Sequence, residues 1–485
     1  MRLKELIKDI DIPFQIIGDL NLDITGLTKD SRIVKKGFLF FSTGGSISFI
    51  KDAFNNGAVG IVSDKKSDYG FLCQILTENP HKLLGKLSAR FYGCPSEKLH
   101  ITGITGTNGK TTSTYLIESI LKENGNSPGI IGTITYRYKG NVIKAENTTP
   151  GAEDLQKLLM EMHLSGVDHV VMEVSSHGLD QKRVEGIEFD VAIFTNITHD
   201  HLDYHKDFVH YKDAKKLLFH YYLKESKKTF KHAILNLDDP HVYEFVPDSL
   251  IKTLFYSLNK NADAHIIEYT ENLDGLDLYI NLNNEKIRIH SRLISYFNAY
   301  NVLASCLFGI TEKIPVETIK RGIEKLESVP GRMERIKNKK GCYVFVDYAH
   351  TPDALSKAIG MLKRVKKGKL IVVFGCGGNR DVSKRPLMGK ISTTLADFTI
   401  ITSDNPRRED PKKIIEDIIG GITGNNYKVI ENRRDAIYEG IKMLQKEDCL
   451  LIAGKGHEDY QIIGDEVFHF SDKEVVEEIL DVDGR

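Results

Sequence analysis

Seven consecutive residues, Gly106-Thr107-Asn108-Gly109-Lys110-Thr111-Thr112, combine the groups that grip a phosphate. Two glycines let backbone N–H groups approach phosphate oxygens closely, Lys110 brings a full positive charge, and Thr111 offers a hydroxyl to a magnesium ion. Such a loop has to follow a strand and open a helix, whose N-terminus adds partial positive charge. The sequence supplies both. Ile101 to Thr105 is strand-like, and Thr111 to Glu123 carries Leu116, Ile117, Ile120 and Leu121 at helical spacing, with Gly125 placed to end the helix. The pattern departs from the strict GxxxxGK[ST], since Ile104 stands where its first glycine would be.

A second group of residues suggests a metal. Glu173 closes a strand-like run from His169 and leads into Ser175-Ser176-His177-Gly178. After another such run, Val191 to Thr195, comes Thr198-His199-Asp200-His201-Leu202-Asp203-Tyr204-His205. Zinc is one reading of these histidines, yet no His-x₃-His pair lies on an evident helix and no cysteine is near. Beside a phosphate loop, Mg²⁺ held by carboxylate, phosphate oxygens and water is the better match, and a plain polar loop is the alternative.

In the last third, four polar segments each follow a strand-like run: Asp347 to His350, Gly375 to Arg380, Asp404 to Arg407, and Gly454 to Glu458. The glycines from Gly375 have the look of a dinucleotide fingerprint, but Asn379-Arg380-Asp381 is not the expected opening of a helix. Four such loops on one sheet edge make one pocket with arginine and glutamate walls.

The elements that must position these groups alternate between strand and helix. Strands are expected at Ile101 to Thr105, His169 to Val174, Val191 to Thr195 and Ala233 to Asn236, then at Tyr343 to Val346, Leu370 to Phe374, Phe398 to Thr402 and Leu450 to Ala453. Helices such as Pro352 to Val365 and Pro411 to Ile419 separate the later ones. Alternation of this kind implies mostly parallel sheets with sites at the carboxyl ends of their strands. Ile266 to Ile289 is expected to form turns and short alternating strands, with a helix from near Asn298. Shorter elements precede residue 98, among them a strand after Gly37, a helix through Ala53 and a strand at Gly60-Ile61-Val62. Breaks at Cys94-Pro95 and Pro330-Gly331 divide the chain into 1–98, 99–329 and 330–485.

Bulk properties agree with this division. A chain of 485 residues exceeds one hydrophobic core. Its 41% apolar and 27% charged content is that of a soluble globular protein, and a net charge of −1 lacks the basic footprint of a nucleic-acid binder. Six scattered cysteines without a CxxC pair indicate a reducing compartment. The charged start, Met1 to Ile10, lacks the apolar block of a secretory signal, and no run of about 18 apolar residues occurs. A cytoplasmic protein without membrane insertion is expected, with a monomer as the default.

Gly106 to Thr112, Glu173-Val-Ser-Ser-His-Gly178, His199-Asp-His-Leu-Asp-Tyr-His205, Asp347-Tyr-Ala-His-Thr-Pro352 and Gly454-Lys-Gly-His-Glu458 together resemble the motifs of the Mur ligases, across essentially the whole chain. The resemblance implies an α/β protein of three domains: a smaller N-terminal domain for a UDP-linked substrate, a central P-loop ATPase domain and a C-terminal Rossmann-like domain for an amino acid. It implies an ADP-forming ligase of cell-wall peptidoglycan synthesis, with ATP and Mg²⁺, that activates a D-glutamate γ-carboxylate as an acyl phosphate. By position, Gly106 to Thr112, Asn301, Arg332, Asp347 and His350 would meet ATP. Lys110, Lys215, Glu173 and His201 would be catalytic, and Thr111, Glu173 and His201 would ligate metal. Lys215 matches a lysine carbamylated in this family, and as a carbamate it would position a second Mg²⁺. Ser31, Asn147, Thr148, Thr149, Ser175, Gln181 and Arg183 would contact the UDP-N-acetylmuramoyl dipeptide. Gly45-Ser46-Ile47-Ser48-Phe49 departs from the Gly-His-Gln-like stretch common in the family.

Asp404-Asn405-Pro406-Arg407 resembles the family's meso-diaminopimelate motif, with Arg380, Gly454 and Glu458 completing the expected amino-acid site. The chemistry points the same way. Diaminopimelate ends in a carboxylate and an ammonium, so an Arg407 fork helped by Arg380 suits the first and Glu458 the second. Rival readings are a lysine-adding member of the family, a glutamate ligase acting on folate, and a nucleotide-hydrolysing switch, which would not need a second polar pocket.

Overall fold

The computed structural model describes residues 1–44, 47–248 and 250–482. Gly45 and Ser46, at the departure from the family pattern, lie outside the described residues. The chain forms two compact units, one of residues 1–265, 281–285 and 300–322, the other of 266–280, 286–299 and 323 onward.

The first unit contains two sheets. One runs in the order Gln15–Gly18, Cys73–Leu76, Gly60–Ser63, Phe38–Phe41, Gly26–Thr28, parallel except at the first pair. Leu83, Leu84 and Leu87 of the helix Pro80–Phe91 share its core with Leu39, Phe41, Val62 and Ile75. In the other, Pro128–Ile131, His169–Glu173, His100–Thr105, Val191–Phe194, His232–Asn236 and Lys252–Ser257 are successive parallel neighbours. These strands are buried nearly end to end, as expected of a parallel sheet covered on both faces. The helix Lys110–Glu123 packs on it through Leu116, Ile117, Ile120 and Leu121 and stops where Gly125 takes φ +84°.

In the second unit a sheet runs Glu334–Ile336, Tyr343–Asp347, Cys449–Ala453, Leu370–Phe374, Phe398–Ile401, Tyr427–Val429, parallel after its first pair. Alternate residues of one strand serve opposite cores. Leu370, Val372 and Phe374 pack with Leu355, Ile359 and Met388 from helices on one face, while Ile371 and Val373 pack with Ile437, Ile441 and Val476 on the other. The four polar loops after Asp347, Phe374, Ile401 and Ala453 therefore share one edge, as their sequence context required.

One expectation needs correction. The stretch expected to hold short strands instead contains Ala264–Asn272, Gly275–Leu282 and Glu285–Ser291, nine, eight and seven residues long. Charged residues alternate with apolar ones there, and Leu276, Leu278, Ile280 and Leu282 are buried on one face, so pleating and not brevity explains the pattern. All six cysteines are free thiols. Among the described residues no helix is long and apolar enough to cross a membrane.

Candidate active site

The phosphate loop joins the His100–Thr105 strand to the helix that starts at Lys110. Its glycines are required by space as well as by conformation. At Gly106, with φ +147°, a Cβ would stand 1.9 Å from Thr195 Oγ1; at Gly109, with φ +91°, it would stand 2.4 Å from Asn301 Oδ1. The segment after Val191–Phe194 pins the loop from the side. Thr195 Oγ1 donates to the Asn108 carbonyl at 2.6 Å, the Asn196 carboxamide exchanges two 3.1 Å bonds with the Asn108 backbone, and the Asn196 carbonyl accepts from the Thr107 N–H at 2.8 Å. Thr107 Oγ1 lies 2.9 Å from the Tyr211 hydroxyl. Sequence reasoning missed Thr195, Asn196 and Tyr211; the polar pair directly after an apolar strand was the available signal.

Two lysines meet at this loop. Lys110 Nζ donates to the carbonyls of Gly106 at 2.7 Å and Thr107 at 3.0 Å, and Lys215 Nζ donates to the same Gly106 carbonyl at 2.9 Å. Lys215 is buried, on the helix Phe208–Leu217, with its ammonium 4.7 Å from the centre of the Tyr211 ring. Burial, and next the Lys110 charge, push its pKa well below the ordinary lysine value.

Glu173 links two groups of predicted residues. This buried carboxylate accepts from Thr111 Oγ1 at 3.1 Å on the loop side, and from the Thr133 N–H and hydroxyl, each at 2.9 Å, on the other. Thr133 Oγ1 lies 3.1 Å from Thr148 Oγ1, and Thr149 Oγ1 donates to the Glu173 carbonyl at 3.0 Å while accepting from the Ser175 N–H. Arg183 donates to the Thr149 carbonyl at 2.8 Å and grips Gln181 Oε1 at 2.7 and 3.0 Å, and Gln181 donates to the Tyr204 hydroxyl at 3.1 Å. The Asn147 N–H donates to the Tyr136 hydroxyl at 3.3 Å. Ser31 sits elsewhere in the unit, in the short helix Ser31–Ile33. Its carbonyl accepts from Asn56 Nδ2 at 2.9 Å.

The oxygens of Thr111 and Glu173 form the hard donor set that suits Mg²⁺. Glu173 Oε1 sits over Gly132, where a Cβ would intrude to 2.5 Å, so only backbone approaches on that side. His201 belongs to an aromatic group instead, its half-exposed ring 5.0 Å from His177 and 6.1 Å from Tyr211, with φ +53°. Asn301 is buried beneath the loop, with its Oδ1 3.3 Å from Ser113 Oγ.

In the second unit Asp347 accepts from the N–H groups of Met333 at 2.7 Å and Ala349 at 2.9 Å, and Arg332 stacks 5.2 Å from the Tyr348 ring. Burial raises the Asp347 pKa. His350 Nδ1 lies 2.8 Å from the Tyr348 carbonyl.

The polar loops after Phe374, Ile401 and Ala453 meet around Asn405. This buried side chain donates to Glu458 Oε2 at 2.9 Å and accepts from Lys455 Nζ at 3.3 Å and the Ile462 N–H at 3.0 Å. Lys455 is buried too, and its ammonium also reaches Glu458 Oε2 at 3.3 Å. Arg407, at φ +53°, donates from one Nη to the Gly378 carbonyl at 2.9 Å, which orients the guanidinium. Asp404 is buried against Gly454, where a Cβ would come within 2.8 Å of its Oδ2, and the Pro406 carbonyl presses on Gly378. Arg380 is exposed.

Beneath lie two arginines that motif spacing did not reveal. Arg385 pairs with Glu409 and Asp417, each at 2.9 Å. Arg433 holds Asp472 through two 2.7 Å bonds and donates to the Ala453 carbonyl at 3.0 Å.

Models of the Mur ligase middle domain and of the "Mur ligase, glutamate ligase domain" match residues 104–309 and 331–456. A Clostridium tetani (strain Massachusetts / E88) protein named UDP-N-acetylmuramoyl-L-alanyl-D-glutamate--2,6-diaminopimelate ligase is 41% identical, over 99% of each chain. A solved structure of a ligase with that name is 31% identical, covers 100% of this chain and 99% of its own, and has a TM-score of 0.73. At the level of fold alone, the chain is also similar to MurF ligase from Thermotoga maritima in complex with ADP, at 19% identity and a TM-score of 0.61 over 95% of this chain and 98% of that one.

Proposed function

This chain belongs to the Mur ligase family, and on that premise we propose that it joins meso-diaminopimelate to the D-glutamate of UDP-N-acetylmuramoyl-L-alanyl-D-glutamate at the expense of ATP. The observation that carries this reading is the position of Glu173, hydrogen-bonded to the phosphate loop at Thr111 and joined through Thr133 and the Glu173 carbonyl to Thr148, Thr149 and Ser175. A site that phosphorylates a carboxylate needs the nucleotide and the carboxyl substrate on either side of one rigid support.

We assign residues 1–98 to the UDP-linked substrate, 99–329 to ATP and 330–485 to the incoming amino acid. A carboxylate is a poor electrophile. Its oxygen attacks the γ-phosphorus, ADP leaves, and the acyl phosphate so formed accepts the amine at its carbonyl carbon with release of phosphate. Lys110, held on the phosphate loop, stabilises charge on the transferring group. Thr111 and Glu173 would hold Mg²⁺, which when bound neutralises phosphate charge. His201 is assigned as a further ligand on the resemblance alone.

Lys215 is suited to carbamylation. Burial, and next the Lys110 charge, favour the neutral amine of Lys215, the form that adds to CO₂ to give a carbamate and a released proton. The product places an anion beside the Lys110 cation.

Arg407 and Glu458 give the second unit its proposed preference. One Arg407 Nη is occupied by Gly378, which leaves the rest of the guanidinium for a distal carboxylate, and Glu458 is held in place by Asn405 and Lys455. Purified protein given the UDP-linked dipeptide, Mg²⁺, ATP and a panel of amino acids should release phosphate and form product with meso-diaminopimelate. Faster turnover with L-lysine or L-glutamate would overturn the assignment.

A further inference from the structure

At the edge of the parallel sheet opposite the phosphate loop, His100 and His169 are the first residues of adjacent strands and are direct register partners. Their rings lie 4.8 Å apart. Glu312, just beyond the helix Phe297–Thr311, reaches both. Its Oε1 is 3.2 Å from His100 Nε2, and its Oε2 is 3.5 Å from His169 Nε2. We propose that His100, His169 and Glu312 bind one zinc ion, with water completing the coordination.

Three observations support this. The first is distance. Ligands about 2.1 Å from a tetrahedral zinc are about 3.4 Å from one another, close to both nitrogen–oxygen separations here. One donor atom from each residue can be chosen so that all three lie within 4.8 Å of one another.

The second is orientation. His169 Nδ1 lies 2.9 Å from Asp168 Oδ1, and Asp168 is itself held by the Ser127 N–H at 3.0 and 3.1 Å. A carboxylate on Nδ1 directs the lone pair of neutral imidazole to Nε2, the arrangement that orients zinc-binding histidines. That lone pair then faces a Glu312 oxygen, and two acceptors face each other stably only with a cation between them. A proton on each ring satisfies the two contacts separately, whereas one metal ion satisfies all three groups at once. The third is access. The side chains are 25%, 16% and 14% exposed, enough for an ion to enter and few enough for a defined cage.

The three ligands belong to elements that also build the phosphate site. The His100 strand runs into the phosphate loop, the His169 strand ends at Glu173, and the Glu312 helix carries Asn301 beneath Gly109. Zinc would tie together the near ends of elements whose other ends hold the nucleotide.

The test uses the full chain, stripped with chelator and titrated with Zn²⁺ alone by calorimetry, without nucleotide or Mg²⁺. One site per chain is expected, with a Tm that rises with zinc concentration. His169→Ala and Glu312→Gln should each weaken it by on the order of tenfold or more. Glu312→Gln keeps the side-chain shape, so its loss of binding does not reflect a collapsed edge. The loop histidines are the competing site, and His199→Ala and His201→Ala should leave the affinity unchanged. Absence of saturable binding, binding indifferent to Glu312→Gln, or binding lost with His201→Ala would each overturn the proposal.

Discussion

At the phosphate loop, shape comes from backbone and near neighbours. Two positive-φ glycines open space that no side chain could share, and uncharged Thr195 and Asn196 hold the Asn108 peptide from the next strand. At the loops around Asn405, shape comes from buried charges, most of whose partners are distant in sequence. Arg433 holds Asp472 beneath the Ala453 carbonyl, Arg385 holds Glu409 and Asp417, and Lys455 holds Asn405 and Glu458. The contrast follows from what each is proposed to bind. A phosphate asks for N–H groups in a fixed cradle, which a short glycine turn supplies alone. A zwitterion asks for opposite charges at set positions, and those need partners of their own to stay oriented away from water.

The buried charges are where the two regions should respond most differently to substitution. Arg433→Ala leaves Asp472 buried without its partner and should cost about 3–5 kcal/mol in urea unfolding, with acceptor use failing before ATP binding. Equal loss of both would show that the two regions share their support. Lys110→Ala should leave stability near the parent's and lower kcat on the order of 10²–10³-fold, checked by ADP release with saturating substrates. Arg407→Ala should lower kcat/KM for meso-diaminopimelate about 10- to 100-fold, from about 1.5–3 kcal/mol of charge-assisted bonding, with the ATP KM unmoved.

The smallest effect sharpens the exception. Lys215 is a lysine of the phosphate site that burial disfavours as a cation. Because its folded pKa is depressed, the unfolded chain binds more protons and stability rises with pH. The penalty is absent above the ordinary lysine value of about 10.4 and grows as pH falls below it. In CO₂-free buffer Lys215→Met should therefore unfold at higher urea than the parent at pH 7, with the advantage shrinking as pH approaches 10. A constant difference across that range would assign the effect to packing.

Residue order alone made the elements of the parallel sheets legible, because buried strands are continuous apolar runs and their helices carry regular stripes. Leu370–Phe374, Pro352–Val365 and Pro411–Ile419 lie where the sequence places them. The phosphate loop was legible for the same reason: its chemistry is contiguous. The alternating strands from Ala264 to Ser291 were underestimated, since half their residues face outward and resemble loop.

What sequence by itself determined was the identity of the groups at the ends of the strands, because strand direction in a parallel sheet decides which loops share an edge. Tertiary structure alone decided which of those groups touch. It set Glu173 between Thr111 and Thr133, brought Lys215 to the carbonyl that Lys110 already holds, and buried Arg433 against Asp472, 39 residues away. Local pattern carries no record of such pairs, since a buried charge is fixed by a partner that only the folded chain brings within reach.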